Sequence, residues 1–173
     1  SGMINDLSML SRAERGKLTV DIETINAHDL INELQKTYEP DVKAKGLELK
    51  IQIDPALELL QSSKLYVREI LQNFVTNAIK YTEKGHITLS AQQKKEGIIF
   101  SVIDTGLGIS KSDQNKVFEK FFRSEAYHTK GTSGTGLGLY ISQKLARLLH
   151  ATIEVQSQLG QGSTFSVYIP NLK

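Results

Sequence analysis

Asp104-Thr-Gly-Leu-Gly-Ile-Ser110 and Gly131-Thr-Ser-Gly-Thr-Gly-Leu-Gly-Leu139 are two glycine-rich stretches about 25 residues apart, each bordering a well-patterned element. The first closes a nearly continuous apolar run from Ile98 that reads as a buried strand. The second opens a segment at about 135–149 with Leu137, Ile141, Leu145 and Leu148 at helical spacing. Glycines at 106 and 108 let the backbone turn sharply and approach a ligand. Glycine-rich backbone entering a helix presents N–H groups and the positive dipole end to an anion. No Gly-Lys-Ser/Thr follows, and no Gly-x-Gly-x-x-Gly follows a strand, which excludes the P-loop and the dinucleotide fingerprint.

Further elements follow outward from this pair. Residues 3–15 read as a helix with Gly16 as its stop, and 17–25 as a strand with Leu18, Val20 and Ile22 on one side. A helix is expected at about 27–44, with Pro40 kinking it or shifting its register. Leu47, Leu49, Ile51 and Ile53 alternate as a strand, which Asp54-Pro55 ends. A helix at about 63–81 leads to a hairpin, His86–Ala91 and Ile98–Asp104, turning at Lys94–Gly97. Residues 105–135 lack periodicity and read as a functional loop or lid. Two strands, 151–157 and 163–169, finish the chain. Hairpins mixed with helices predict an α/β two-layer sandwich, one mixed sheet with helices on one face. Too many strand pairs lack a crossover helix for a doubly wound fold.

The 173 residues suit one domain with a short appendage. Without cysteine there is no disulfide framework and no thiolate metal site. No apolar run approaches the ~18 residues of a membrane span, and no signal peptide opens the chain. Ser1-Gly2 before Met3 reads as an expression-tag remnant. A formal net charge of +2 is too small to argue for a nucleic-acid partner.

Three groups carry candidate chemistry. On the helix at 63–81, Val67, Ile70, Leu71, Phe74, Val75 and Ala78 form one apolar stripe, while Asn73, Asn77 and Lys80 fall on another. An amide oxygen is a hard, neutral ligand suited to Mg²⁺, and a lysine reaches phosphate as a point charge. The same stripe read alone also fits a solvated face. Asp104 ends a buried strand, where a carboxylate is costly unless paired; it suits an exocyclic amine of adenine, or closes a plain Asp-Thr-Gly turn. In the lid, Val117-Phe-Glu-Lys-Phe-Phe-Arg123 puts three phenylalanines in a polar loop, which should dock and bring Arg123 to face phosphates.

With these residues in order, the chain resembles the catalytic, ATP-binding domain of a bacterial-type sensor histidine kinase. That domain has the Bergerat fold shared with type II topoisomerase, mismatch-repair and heat-shock chaperone ATPases. Asn73 to Tyr81 resembles the N box, Asp104 to Gly108 the first glycine box, and Phe118 to Arg123 the F box. Gly134 to Gly138 resembles the second glycine box and Gly160 to Phe165 the last. The resemblance implies ATP and Mg²⁺ as cofactors, with Asn77 on the metal and Asn73 close to it. Lys80 and Arg123 would serve the phosphates, and Tyr81, Asp104 and Thr164 the adenine. Gly106, Gly108 and Ile109 would line the base. Gly134, Gly136, Leu137, Gly138 and Leu139 would wrap the phosphates in a long ATP lid. Hydrolytic relatives carry a Glu at the position of Asn73, so the kinase branch is expected. Lys120 stands where the F box commonly has Arg, and no role is assigned to it.

Residues 1–16 resemble the end of a second dimerisation helix, and 17–173 the catalytic domain. His28-Asp-Leu-Ile-Asn32 superficially fits an acceptor pattern, but it opens a domain helix after a strand, so the acceptor histidine is expected elsewhere. The implied partners are the protein's own dimerisation domain and a response regulator receiver domain. The fragment is expected to be monomeric and cytoplasmic, from a parent with or without a membrane anchor.

Overall fold

In a computed structural model of the chain, residues 2–120, 122 and 137–172 are described. Five strands form the main sheet: β2 (Glu48–Ile53), β4 (His86–Lys94), β5 (Gly97–Asp104), β7 (Gly162–Ile169) and β6 (Thr152–Gln158), in that spatial order. β2 runs parallel to β4 and every other pair is antiparallel, so the sheet is mixed as expected. The parallel pair needs a crossover, which passes through α3 (Lys64–Tyr81). α2 (Ala27–Ala44), α3 and α5 (Gly138–Leu148) cover one face. α1 (Gly2–Glu14) packs on α5, and α4 (Lys111–Gln114) is a single turn after the first glycine box.

Strand alternation decides which residues meet the helices. Ile87, Leu89 and Ala91 of β4, Ile98, Phe100 and Val102 of β5, and Phe165, Val167 and Ile169 of β7 are buried. They pack against Leu30, Ile31 and Leu34 of α2, Val67, Ile70, Leu71, Phe74 and Val75 of α3, and Ile141 and Leu145 of α5. The ends of the main helices follow local chemistry. Asn26 caps α2 by accepting from Asp29 N–H at 3.1 Å, and Ser63 caps α3 by accepting from Tyr66 N–H at 3.2 Å.

Two features depart from expectation. The first strand shrinks to β1 (Glu23–Ile25), because its only partner among the described residues is the three-residue β3 (Leu60–Ser62). Leu18 and Val20 rest on the core, Ile22 does not and is exposed, and Tyr66 Oη donates to Thr19 O at 2.6 Å. β3 itself is too short to show in the pattern. It is pinned by the chain end, where Asn171 Oδ1 accepts from Gln61 N–H at 2.7 Å and Leu172 N–H donates to Gln61 O at 2.7 Å. α2 spans the expected range with Pro40 inside it. Among the described residues no helix is long and apolar enough to cross a membrane.

Phe74 links α3 to β7, with its ring 5.4 Å from that of Phe165, and it has no solvent exposure. Phe74→Ala is expected to destabilise the domain by roughly 3–5 kcal/mol in equilibrium urea unfolding. A loss under about 1 kcal/mol would mean that the site collapses around the deletion.

Candidate functional site

α3 brings its amide stripe to the N-terminus of α5. Asn73 Nδ2 donates to Gly138 O at 3.0 Å and to Ser142 Oγ at 2.9 Å. Ser142 is fully buried and itself donates to Gly138 O at 2.9 Å. A side chain at 138 would crowd Asn73, with a Cβ 3.4 Å from its Oδ1, so glycine permits the close approach. Asn77, one turn on, is partly buried and hydrogen-bonds to no other described residue. Lys80 Nζ lies 5.7 Å from the centre of the Tyr81 ring. Lys45 fixes this end of α3 by donating from Nζ to Ile79 O at 2.5 Å and to Lys80 O at 3.0 Å.

α5 starts without a side-chain cap at Leu137. Its first intrahelical bond runs from Ile141 N–H to Leu137 O at 2.8 Å. The N–H groups of Gly138, Leu139 and Tyr140 therefore begin the helix with no intrahelical acceptor.

The loop after β5 closes against this same C-terminal end of α3. Leu107 N–H donates to Tyr81 O at 3.2 Å. A Cβ at Gly106 would lie 2.5 Å from Tyr81 O and 2.9 Å from both Asp104 Oδ1 and Thr82 Oγ1, so no side chain fits there. Gly108 holds φ at +74° against the backbone of Gln158. Ile109 is buried in the core and donates its N–H to Ser157 Oγ at 2.7 Å, so it walls the loop from within.

Asp104 is 8% exposed. Its Oδ1 accepts from Gly106 N–H at 2.8 Å and from Ser163 N–H at 3.2 Å. Burial holds its carboxyl above the ordinary aspartate value, and the two N–H donors oppose that shift. Oδ2 accepts no hydrogen bond from a described residue. Beside this corner Thr82 Oγ1 is buried without a partner, which is unusual for a hydroxyl and points to a bound polar group.

Thus Asn73, Asn77, Lys80, Tyr81, Asp104, Gly106, Gly108 and Ile109 are joined to Leu137, Gly138 and Leu139 by direct contacts of α3 with the β5 loop and with α5. Thr164 is a different case. It pairs with Ile103 on the outer face of the sheet, whereas Ser163, paired with Asp104, is the residue facing the helices. Ser163, Phe165, Val167 and Ile169 share one face, and that alternation already distinguishes Ser163 from Thr164 in the sequence. Arg123, Gly134 and Gly136 lie outside the described residues. Of the three lid phenylalanines, Phe118 docks edge-on against Phe165 with centroids 6.4 Å apart, and Phe122 rests on the core. Phe121 lies outside the described residues. Lys120, left without a role by the sequence, pairs with Glu14 of α1 at 2.6 Å. Ser142, Thr82 and Ser157 carry no sequence signal, since a lone hydroxyl is informative only once its partners are known.

The sequence pattern of the histidine kinase-, DNA gyrase B- and HSP90-like ATPases matches residues 63–173. The chain belongs to this family. Within this ATPase family it is 33% identical over 175 residues to the autoinducer 2 sensor kinase/phosphatase LuxQ of Vibrio vulnificus, covering 97% of this chain and 20% of that protein. It is 32% identical over 171 residues to the circadian input-output histidine kinase CikA of Synechococcus elongatus, covering 97% of this chain and 23% of that one. The chain thus spans about a fifth of the length of these relatives. Full-length ShkA in complex with AMPPNP superposes with a TM-score of 0.88 at 27% identity, over 98% of this chain and 35% of that one. The nucleotide-free catalytic domain of histidine kinase ThkA has the same fold, with a TM-score of 0.76 at 24% identity over 87% of this chain and 96% of that one.

The raised pKa of Asp104 has a consequence for stability. The folded ATPase-family domain holds this proton more tightly than the unfolded chain does. Stability therefore falls as pH rises from the ordinary aspartate value through the raised folded one. Above the raised value the ionised form carries that cost. Asp104→Asn keeps an Oδ1 acceptor for both N–H donors and removes the charge. It is expected to melt above the wild type at pH 7, with the gap closing as pH falls toward about 4. A variant that melts lower at pH 7, by an amount independent of pH, would contradict the burial cost.

Proposed function

We propose that this chain binds ATP with Mg²⁺ and presents the γ-phosphoryl for transfer to a histidine on a dimerisation domain. The observation that carries this reading is the buried Asp104 carboxylate, with one oxygen held by the backbone and the other open, at a corner shared by α3 and β7. Such a carboxylate accepts well from the exocyclic amine of adenine. Tyr81 packs beside the base. The first N–H groups of α5 and the Lys80 ammonium take up the phosphates. The complex of ShkA with AMPPNP supports nucleotide binding by a chain of this fold.

The donor set fits Mg²⁺. Asn77 keeps its amide uncommitted, and Asn73 retains Oδ1 while Nδ2 is engaged. Both are neutral oxygen ligands of the kind Mg²⁺ accepts alongside phosphate oxygens and waters. Bound there, the ion would neutralise charge developing on the phosphates. Asn73 cannot remove a proton from water, which favours transfer over hydrolysis. Arg123 is the residue proposed to meet the γ-phosphoryl from the lid. The protein contributes positioning and charge stabilisation, as phosphoryl transfer requires.

The acceptor histidine belongs to the proposed dimerisation domain. α1 is read as the end of its second helix, supported by Met9 and Leu10 burying against the core and by Glu14 on Lys120. A response regulator receiver domain is the proposed downstream partner, and the fragment is proposed to be a cytoplasmic monomer.

Calorimetric titration with AMPPNP, with and without Mg²⁺, tests the reading. Saturable binding that tightens with Mg²⁺ is expected; no binding in either condition would overturn it. Asn77→Ala should weaken AMPPNP binding in Mg²⁺ by about tenfold or more, the weight of one strong ligand contact, and leave adenosine binding nearly unchanged. Equal losses for both ligands would make Asn77 structural.

A further inference from the structure

Ser157 stands outside every glycine box, yet three groups converge on its hydroxyl. It lies near the end of the edge strand β6, in register with Ser163 of β7. Its Oγ accepts from Ile109 N–H at 2.7 Å, lies 3.0 Å from Gly162 O and lies 2.7 Å from Ser163 Oγ. Gln114 holds the backbone there, donating from Nε2 to Ile109 O at 2.8 Å and to Ser157 O at 2.9 Å.

A serine hydroxyl has one proton to give and two lone pairs to share. All three contacts are satisfied in only one arrangement. Ile109 N–H occupies one lone pair of Ser157, the Ser157 proton goes to Gly162 O, and the Ser163 hydroxyl donates to the second lone pair. The Ser163 proton is then held toward β6, and its oxygen is left as an acceptor. Ser163 also donates its N–H to Asp104 Oδ1, directly across the β5–β7 pair. The corner then offers two acceptors, Asp104 Oδ2 and Ser163 Oγ, and no hydroxyl donor from Ser163.

We propose that Ser157 is a positioning residue for base selection: it fixes the Ser163 hydroxyl as an acceptor, so the corner takes a 6-amino purine and rejects a 6-oxo purine. This rests on the nucleotide-binding reading above. A purine amine donates to such a corner, whereas a purine carbonyl oxygen would face two acceptors without a proton between them. Without the Ser157 oxygen, the Ser163 hydroxyl rotates freely and can donate to a 6-oxo group, so selectivity falls.

Calorimetric titration of this chain with ADP and with IDP tests the proposal, because the two ligands differ only at the purine 6-substituent and the adjoining ring nitrogen, the edge that the corner would read. The wild type is expected to prefer ADP. Ser157→Ala should lower the ADP-to-IDP affinity ratio by about fivefold to tenfold, the weight of one hydrogen bond. Ser157→Thr, which keeps the hydroxyl at a half-buried edge-strand position, should restore the ratio. Ser163→Ala should lower the ratio similarly, and the double variant should lose no more than either single one. An ADP preference that survives Ser157→Ala, or that falls through equal losses for both ligands, would overturn the role. Failure of the wild type to bind either nucleotide would instead remove the nucleotide-binding reading, and this proposal with it.

Discussion

A carboxylate at the end of the central strand of the sheet is the constraint on which the rest of this molecule turns. Asp104 ends β5, and burying its charge is unfavourable. Two backbone N–H groups on Oδ1 reduce that cost, and each places a demand on its own segment. The Gly106 donor requires a turn with no side chain against Tyr81 O. The Ser163 donor requires β7 to begin with Gly162 at a φ of +95°, packed on the Asp104 backbone. Strand end, glycine box and last hairpin are therefore one unit, and the open Oδ2 is what that unit leaves for a ligand.

The second organising contact is Asn73 on α5. An amide can donate from one side and accept on the other, and here the donor side ties α3 to the first turn of α5. A glutamate at this position has no such donor to give to Gly138 O and Ser142 Oγ when ionised. Asparagine here supplies a structural tie between the amide stripe and the helix N-terminus. That tie holds the first turn of α5, which starts without a side-chain cap.

Much of this was legible in the sequence where a pattern was long or chemically redundant. α2 and α3 have long apolar stripes and side-chain caps at Asn26 and Ser63, and their bounds fall close to the expected ones. The β4–β5 hairpin followed from an alternating strand, a polar turn and a nearly continuous apolar run, and the mixed sheet from hairpins interspersed with helices. What the sequence concealed depends on contacts between distant segments. β3 is only Leu60–Ser62, and its ladder with Glu23–Ile25 leaves no periodic signature. Residues 17–22 alternate like a strand because Leu18 and Val20 pack on the core, yet no neighbouring strand pairs with them. At the site, the glycine boxes and the Asn stripe were visible, while Ser142, Ser157 and Thr82 were not, because their roles exist only in three dimensions. The resemblance named Thr164, while the strand period puts Ser163 on the face toward the helices.

The most direct test of the central claim is a crystal structure of this chain with AMPPNP and Mg²⁺. The account predicts the adenine amine within about 3 Å of Asp104 Oδ2, with both N–H donors still on Oδ1. A nucleotide bound with its base away from Asp104, or Asp104 rotated to pair with another protein group, would contradict it.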